Sequence, residues 1–165
     1  SGGLMKFVHL AEKYNLPRVV SVQNPYSLLN RSYEVGMAEI SVRENCGLLA
    51  YSPLAFGMLT GKYDDGKKPQ KARLTIYESI YTRYTKSKGI ESAKKFNQLA
   101  IHNDLTPTQM ALAYVNSRPF LTSNIIGATT IDQLKENIQS IKINLNEELI
   151  EKIETIHNEN PYPCP

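Results

Sequence analysis

Short apolar segments alternate with amphipathic ones along this chain, and the alternation limits the fold more than any other feature. Segments 19–23, 48–52 and 122–126 are short, largely apolar and bounded by turn residues, which is typical of strands. Strands that alternate with helices are usually parallel and joined by right-handed crossovers. Apolar strands in such sheets are commonly covered on both faces. We therefore expect an α/β fold with a parallel, doubly covered sheet.

The intervening segments repeat apolar residues at the spacing of helices. The first helix ends before Asn15, the second is closed by Asn45-Cys46-Gly47, and Asn24-Pro25 is expected to break the first strand. Thr106-Pro107 supplies a cap residue followed by proline, which is typical of a helix start. The predicted helices cover residues 4–11, 35–40, 92–103, 106–115, 131–141 and 146–158, and residues 54–89 are predicted to be largely irregular.

Three strands make a thin sheet for an α/β domain, and closing a parallel barrel takes about eight strands. The remaining strands are therefore expected to lie outside this sequence or to come from a partner. The sequence also begins at Ser1 without methionine and enters a helical pattern almost at once. We interpret this start as that of a processed, nicked or truncated product.

Composition excludes several classes of function. With 165 residues, 41% hydrophobic and 21% charged, the chain is long and apolar enough for one domain with a core. A net charge of +3 is too small to indicate nucleic acid, and no apolar run reaches the roughly 18 residues of a membrane span. Cys46 and Cys164 match no metal-ligand spacing, which favours a reducing compartment. We expect a cytoplasmic protein with no metal, membrane or nucleic-acid partner.

The segment from Gly127 to Asn137 follows the apolar Asn124-Ile125-Ile126 and opens an amphipathic helix. The first N–H groups of a helix lack backbone partners and form a ready anion site. Polar side chains recur along this segment at about one-turn spacing: Thr129, Gln133, Glu136 and Asn137. The pattern fits a phosphate-bearing cofactor, and it fits equally well an ordinary turn followed by a helix with a polar face.

Polar residues also follow the other two predicted strands, as Gln23-Asn24 and Ser52-Pro53-Leu54. In parallel α/β folds the ligand binds at the carboxyl ends of the strands. The stretch from Ser52 to Lys62 contains glycines that let backbone approach phosphates, and the region beyond it is mainly basic. These features favour an anionic cofactor over the alternative of a solvated surface loop.

The sequence contains neither of two common phosphate-binding motifs, and it has no evident catalytic centre. Gly61 to Lys68 has the spacing of a phosphate loop but lacks the final serine or threonine, and Gly-x-Gly-x-x-Gly is absent. His9, His102 and His157 are more readily explained as structural or solvent-facing residues. The sequence therefore assigns no catalytic residue and no metal ligand.

Three stretches resemble the aldo-keto reductase superfamily. They run from Val22 to Arg31, from Ala50 to Tyr63 and from Ile126 to Asn137, in the order and at the spacing of that family. The branch with the greatest resemblance comprises bacterial reductases related to voltage-gated potassium-channel beta subunits. The resemblance implies a (β/α)₈ TIM barrel that binds NADPH across its carboxyl rim without a Rossmann domain.

Each site residue is carried over from the matching family position. Gln23 resembles the residue that hydrogen-bonds the nicotinamide carboxamide, and Tyr51 resembles the aromatic residue that stacks on the nicotinamide ring. The loop that covers the pyrophosphate is represented by Ser52, Pro53, Leu54, Ala55, Phe56 and Lys62.

The adenosine end of the cofactor is assigned in the same way. Arg73 resembles a loop arginine near the 2′-phosphate. The remaining matches are Gly127, Thr129 and Gln133 for the 2′-phosphate and ribose, and Glu136 and Asn137 for the adenine. Some branches carry arginine in place of Gln133, and an amide holds a phosphate less firmly than a guanidinium does. NADP over NAD is therefore expected only as a preference, supported by Lys62 and Arg73.

The family's catalytic Asp, Tyr, Lys and His belong to the first half of its barrel, and their motifs do not occur here. Residues 1–165 are thus expected to be the C-terminal part of the barrel, about strands six to eight, with the N-terminal half absent. The expected function is the cofactor-binding part of an NADP(H)-dependent carbonyl reductase, inactive by itself. The alternative is a non-enzymatic NADP(H)-sensing regulatory subunit. Expected partners are a small carbonyl substrate and either the missing half-barrel or a second copy.

Overall fold

A computed structural model of the chain describes residues 1–77 and 79–164. Glu78 and Pro165, which fall inside the predicted domain 1–165, lie outside the described residues. The strands are β1 (Ser21–Pro25), β2 (Gly47–Tyr51) and β3 (Leu121–Asn124). The helices are α1 (Gly2–Tyr14), α2 (Met37–Arg43), α3 (Arg73–Ile76), α4 (Ser87–Ile101), α5 (Pro107–Asn116), α6 (Ile131–Gln139) and α7 (Glu147–Glu159). Within the described residues, none of the helices is long and apolar enough to cross a membrane.

The strands form a parallel sheet in the order β1-β2-β3, which confirms the prediction of an α/β fold with parallel strands. Pro25 pairs in register with Tyr51, and Ala50 pairs with Asn124. The three carboxyl ends therefore lie side by side at one edge of the sheet. Gly47 lets the strands approach closely, because a Cβ there would lie 1.9 Å from the Thr122 hydroxyl oxygen.

Strand boundaries differ from the predicted ones by about two residues. The first strand includes Pro25, so the prediction that Asn24-Pro25 breaks it is wrong. Proline lacks an N–H but is tolerated at the end of an edge strand such as β1. The third strand ends at Asn124, although the Ile125 N–H still donates to the Ala50 carbonyl at 2.8 Å.

The sheet is covered on one face, so the prediction of a doubly covered sheet is wrong. Leu48 and Ala50 are fully buried beneath the helices. Tyr51, on the opposite face of β2, is 37% exposed, and Gln23 on β1 is also exposed. The opposite face carries the alternate residues of β1 and β2, because side chains alternate between faces along a strand. A short apolar run cannot show whether its second face is covered.

Local capping chemistry explains the helix ends that the sequence predicted. Asn15 closes α1 in the left-handed conformation at φ 52°. Thr106 and Gln109 form a reciprocal capping box at the start of α5, and Asn146 accepts from the Leu149 N–H at 2.8 Å to begin α7. These three ends were predicted correctly.

Other helix limits match the prediction less closely. Asn45 follows α2 in the left-handed conformation at φ 49°, as a closing residue does, whereas Gly47, which was predicted to belong to the same closure, is the first residue of β2. The fourth helix begins at Ser87, five residues before the predicted start. Its first turn buries Gly89 against the Cys164 sulfur, where a Cβ would lie only 2.7 Å away. That contact is long-range and leaves no mark on the local apolar periodicity.

The hydrophobic core lies between the covered face of the sheet and helices α4, α5 and α7. Its largest fully buried side chains include Tyr26, Phe96, Tyr114 and Ile153. The segment that follows β1 enters this core directly, since residues 26–31 are all buried. The covered face and the core fix the strand ends. The carboxyl end of β3 continues into a mainly exposed loop, whereas the loop after β2 is largely buried.

Candidate functional site

The loop after β2, residues 52–62, has an unusual backbone. Ser52, Ala55 and Phe56 adopt positive φ angles of 54°, 48° and 56°, and Gly57 follows at 98°. Positive φ is costly for residues with a Cβ and is concentrated at ligand-binding sites. The N–H groups of Ala55 and Gly57 donate to the Ser52 and Leu54 carbonyls at 2.9 and 2.8 Å, so these donors are already used within the loop. The β2 loop is therefore a tightly turned and strained segment at the carboxyl end of β2.

Two cations lie against the β2 loop. The Lys62 ammonium is 5.3 Å from the Tyr63 ring centre, and the Arg73 guanidinium is 5.0 Å from the Phe56 ring centre. Burial, and next the charge of Arg73, lower the pKa of Lys62. In the described part of the chain neither cation has a carboxylate partner. Two close, unpaired cations repel one another, and a bound anion would relieve that repulsion.

Gly57 is the residue that lets Lys62 lie across this loop. A Cβ at Gly57 would stand 2.3 Å from Cε and 2.6 Å from Nζ of Lys62. The φ of 98° also disfavours any side chain there. The sequence analysis did not select Gly57 as a site residue. In the sequence Gly57 is only a glycine between Phe56 and Met58, and this pattern does not indicate which side chain lies across it.

Helix α4 anchors the β2 loop through Asn97, another residue that the sequence analysis missed. The buried Asn97 amide donates to the Met58 carbonyl at 3.0 Å and to the Asp64 carboxylate at 2.9 Å. Burial raises the pKa of Asp64, partly offset by the hydrogen bond from Asn97. The loop is further packed by Phe56, whose ring meets those of Tyr81 and Tyr84 at 4.6 and 4.9 Å. These contacts hold the strained backbone in one conformation.

The loop after β3, residues 125–130, leads into α6. Thr130 caps the helix by accepting from the Gln133 N–H at 3.2 Å. The Gln133 side-chain oxygen in turn accepts from the N–H and the hydroxyl of Thr129, at 2.9 and 3.0 Å. A Cβ at Gly127 would meet nothing within 4 Å, so its backbone is open to approach. This β3 loop is thus a preformed turn at a helix N-terminus.

Glu136 and Asn137 lie one turn further along α6 and already have protein partners. The Thr106 hydroxyl donates to the Glu136 carboxylate at 2.5 Å, which links α6 to the start of α5. The buried Asn137 amide donates to the Gly127 carbonyl at 3.3 Å and holds the β3 loop against the helix. Asn137 therefore shapes the turn whether or not it meets a ligand.

Gln23 and Tyr51 lie on the open face of the sheet. Gln23 pairs in register with Leu49, and Pro25 pairs with Tyr51. Gln23 therefore lies two register positions before Tyr51, on the same face of the sheet. Tyr51 immediately precedes Ser52, the first residue of the β2 loop. The structure therefore groups the predicted residues into three clusters at or near the carboxyl ends of neighbouring strands: Gln23 with Tyr51, the β2 loop with Lys62 and Arg73, and the β3 loop with α6.

The donors in these clusters fit the chemistry of a phosphate-bearing dinucleotide. The β2 loop offers two cations and a glycine cradle, and the β3 loop offers an open glycine before a helix N-terminus. Tyr51 offers an exposed ring. Among the described residues, no group of three or more His, Cys, Asp or Glu residues is arranged to hold a metal ion.

The chain is similar to known proteins along most of its length. Residues 5–158 match the model of the family described as "Aldo/keto reductase family". The chain is 50% identical to Protein tas of Escherichia coli K12 over 163 residues, which cover 99% of the chain and 47% of that protein. It is 32% identical, over 93% of its length and 46% of the relative's, to a Schizosaccharomyces pombe protein described as a candidate voltage-gated potassium channel subunit beta.

A third relative carries the name of an enzyme. The chain is 30% identical to an L-glyceraldehyde 3-phosphate reductase of Escherichia coli K12, over 82% of the chain and 40% of that protein. The chain thus spans about half the length of the curated relatives it matches. The family match covers most of the sequence and includes all three strand-end clusters. The chain therefore belongs to the aldo/keto reductase family of oxidoreductases.

Proposed function

We propose that this chain is the C-terminal, NADP(H)-binding part of a cytoplasmic aldo-keto reductase that converts a small carbonyl compound to an alcohol. One observation carries the proposal: the unpaired cations Lys62 and Arg73 lie beside a strained loop at the carboxyl end of β2. Strain of this kind persists only where the surrounding structure maintains it, and binding sites are where it is most often found.

Each cluster has a proposed role toward the cofactor. The β2 loop with Lys62 holds the pyrophosphate, and Arg73 neutralises the 2′-phosphate. The adenosine end is held by Gly127, Thr129, Gln133, Glu136 and Asn137. Gln23 hydrogen-bonds the nicotinamide carboxamide, and Tyr51 covers one face of its ring. The bound NADPH supplies the hydride for the carbonyl carbon, and the residues of this chain orient the cofactor and exclude water from one side of it.

The exposed features on the open face of the sheet support the proposal that a partner completes the barrel. Gln23 and Tyr51 are exposed there, and within residues 1–77 and 79–164 no further strand pairs with the outer edges of β1 and β3. Helix α6 also exposes the apolar side chains Ile131 and Ile138, and Ile141 in the turn just beyond it is exposed as well. Edges and apolar faces of this kind are normally covered in a folded protein. We propose that the N-terminal half-barrel of a longer polypeptide covers them, with a second copy of this chain as the alternative.

A titration tests the cofactor proposal. NADPH is expected to bind the chain about tenfold more tightly than NADH, because a charge-assisted phosphate contact contributes about 1.5–3 kcal/mol and Gln133 is a weaker phosphate partner than arginine. Isothermal titration calorimetry with NADPH and NADH measures the preference for NADPH. The same measurement with 2′,5′-ADP gives the part of the binding free energy that comes from the adenosine end of the cofactor. Equal affinities for NADPH and NADH would exclude a role for the 2′-phosphate.

The second candidate function is NADP(H) sensing without catalysis. The similarity to a candidate potassium channel beta subunit favours it. The two functions differ in one measurable respect. With NADPH and an aldehyde such as 4-nitrobenzaldehyde, the chain alone is expected to show no oxidation of NADPH at 340 nm, whereas the complete polypeptide is expected to show it. Binding without turnover by the complete polypeptide would instead support the sensor.

A further inference from the structure

A buried ionic network lies directly behind the carboxyl ends of β1 and β2. The Arg31 guanidinium, only 7% exposed, donates from Nε and Nη2 to the two oxygens of Glu34, at 2.8 and 2.7 Å. Its Nη1 donates to both oxygens of Glu154 on α7, at 2.9 Å each. Arg31 thus joins the segment after β1 to the last helix through two carboxylates.

Tyrosine hydroxyls complete this network. The Tyr26 hydroxyl donates to Glu34, and the Tyr114 hydroxyl donates to Glu154 at 3.1 Å. Burial by itself would raise the pKa of Glu34, but the hydrogen bonds from Arg31 and Tyr26 outweigh it and the pKa is lowered. The Glu34 carboxylate is thereby held as an anion, and the oxygens of both carboxylates accept hydrogen bonds from Arg31. A buried arginine with this many partners has little freedom to change its position.

The network reaches the proposed site through Tyr26. Its ring is fully buried and meets Phe120 edge-on at 5.3 Å, while its backbone N–H donates to the Tyr51 carbonyl at 3.2 Å. Tyr51 is the last residue of β2 and immediately precedes the strained Ser52. A continuous series of contacts therefore runs from Arg31 through Glu34 and Tyr26 to the backbone of Tyr51.

We propose that Arg31 is a positioning residue: through Glu34 and Tyr26 it fixes the carboxyl end of β2, and so sets where the Tyr51 ring lies against the nicotinamide. The inference rests on the proposed function for the role of Tyr51. We do not expect Arg31 to affect the adenosine end of the site, because the contacts among Thr129, Thr130 and Gln133 hold the β3 loop by themselves. Loss of Arg31 should therefore loosen the nicotinamide end of the cofactor site and leave the adenosine end unchanged.

The test compares the wild-type chain with Arg31→Met and Arg31→Lys. In Arg31→Met, amide exchange at the Tyr26 N–H is expected to accelerate at least about tenfold, while the Leu134 N–H, bonded to the Thr130 carbonyl, changes less than about twofold. The affinity for NADPH is expected to fall about tenfold and that for 2′,5′-ADP by less than about twofold. Arg31→Lys keeps the charge without the fork geometry and should give a smaller loss in the same pattern.

The outcomes separate the inference from the proposed function. Equal acceleration at Tyr26 and Leu134, or equal weakening of NADPH and 2′,5′-ADP, would mean that Arg31 acts only on global stability and would overturn the inference. If Arg31→Met does not fold, the same comparison in Arg31→Lys decides. If the wild-type chain and the complete polypeptide bind neither ligand, the proposed function fails. If amide exchange at the Tyr26 N–H is unchanged in a folded variant, the positioning role is overturned regardless of the affinities measured for NADPH and 2′,5′-ADP.

Discussion

Replacing Lys62 and Arg73 together with methionine is expected to weaken NADPH binding by about 100-fold or more while leaving the fold intact. Hydrogen bonds to charged groups contribute about 1.5–3 kcal/mol each, and 1.4 kcal/mol corresponds to a factor of ten in affinity. Methionine keeps most of the aliphatic length of both side chains and removes both charges. Titration of the chain with NADPH at low and at moderate salt measures the loss of affinity. The difference in NADPH affinity between the variant and the wild type should become smaller as the salt concentration increases.

The same variant should unfold at nearly the wild-type denaturant concentration. Neither cation has a carboxylate partner among the described residues, so no ion pair is lost. The contact of Arg73 with Phe56 is worth about 0.5–1 kcal/mol at an exposed site, and relief of the repulsion that lowers the pKa of Lys62 offsets part of it. We therefore expect the free energy of unfolding to change by less than about 1 kcal/mol.

Lys94→Met is the matched control. Lys94 carries the same charge on α4, where it pairs with the exposed Asp65 at 2.8 Å. Exposed pairs of this kind contribute about 0–1 kcal/mol to stability, so the variant should remain folded. Because Lys94 belongs to none of the three clusters, its loss should change NADPH affinity by less than about twofold. If Lys94→Met weakens NADPH binding as much as loss of Lys62 and Arg73 does, the effect is one of overall charge and the β2 loop is not the phosphate site.

The sequence predicted those parts of the fold that local chemistry determines. The capping groups at Asn15, Thr106 and Asn146 mark helix ends through bonds to residues three or four positions away, and all three were found where predicted. The strand limits depend on pairing with distant segments. Pro25 belongs to β1 because it stands in register with Tyr51, which no pattern within the segment 19–25 could indicate.

The sequence predicted which residues belong to the candidate site better than it predicted how they are arranged in space. Glycines and basic residues after the second strand predicted an anion site. The structure brings Gly57 and Lys62 together, while the anion site itself stays a prediction. The proximity of Lys62 to Arg73, the first residue of α3, depends on the fold of the chain between them, including the short helical turn Asp64–Gly66. Asn97, which holds the loop from 39 residues beyond Met58, gave no local signal at all. Long-range anchors of this kind become visible only once the helices are packed.

Replacing Phe96 with alanine is expected to destabilise the 165-residue chain by about 3–5 kcal/mol. Phe96 lies on α4 within the core and is 1% exposed, so truncation removes its burial and leaves a cavity that the packed helices cannot fill. Domains of this kind are stable by only about 5–15 kcal/mol, so the midpoint of urea unfolding should fall sharply. Circular dichroism at increasing urea concentrations measures the change.

Phe7→Ala is the matched control, and it also tests what lies beyond the open side of the chain. Phe7 is on α1 and is 66% exposed, so in the 165-residue chain its truncation should change stability by less than about 0.5 kcal/mol. In a longer polypeptide whose N-terminal half covers α1, the same truncation should cost about 1.5–3 kcal/mol, the free energy of burying a large apolar side chain. A cost below 0.5 kcal/mol in both settings would show that nothing covers Phe7, and the proposed half-barrel would then have to close against another surface.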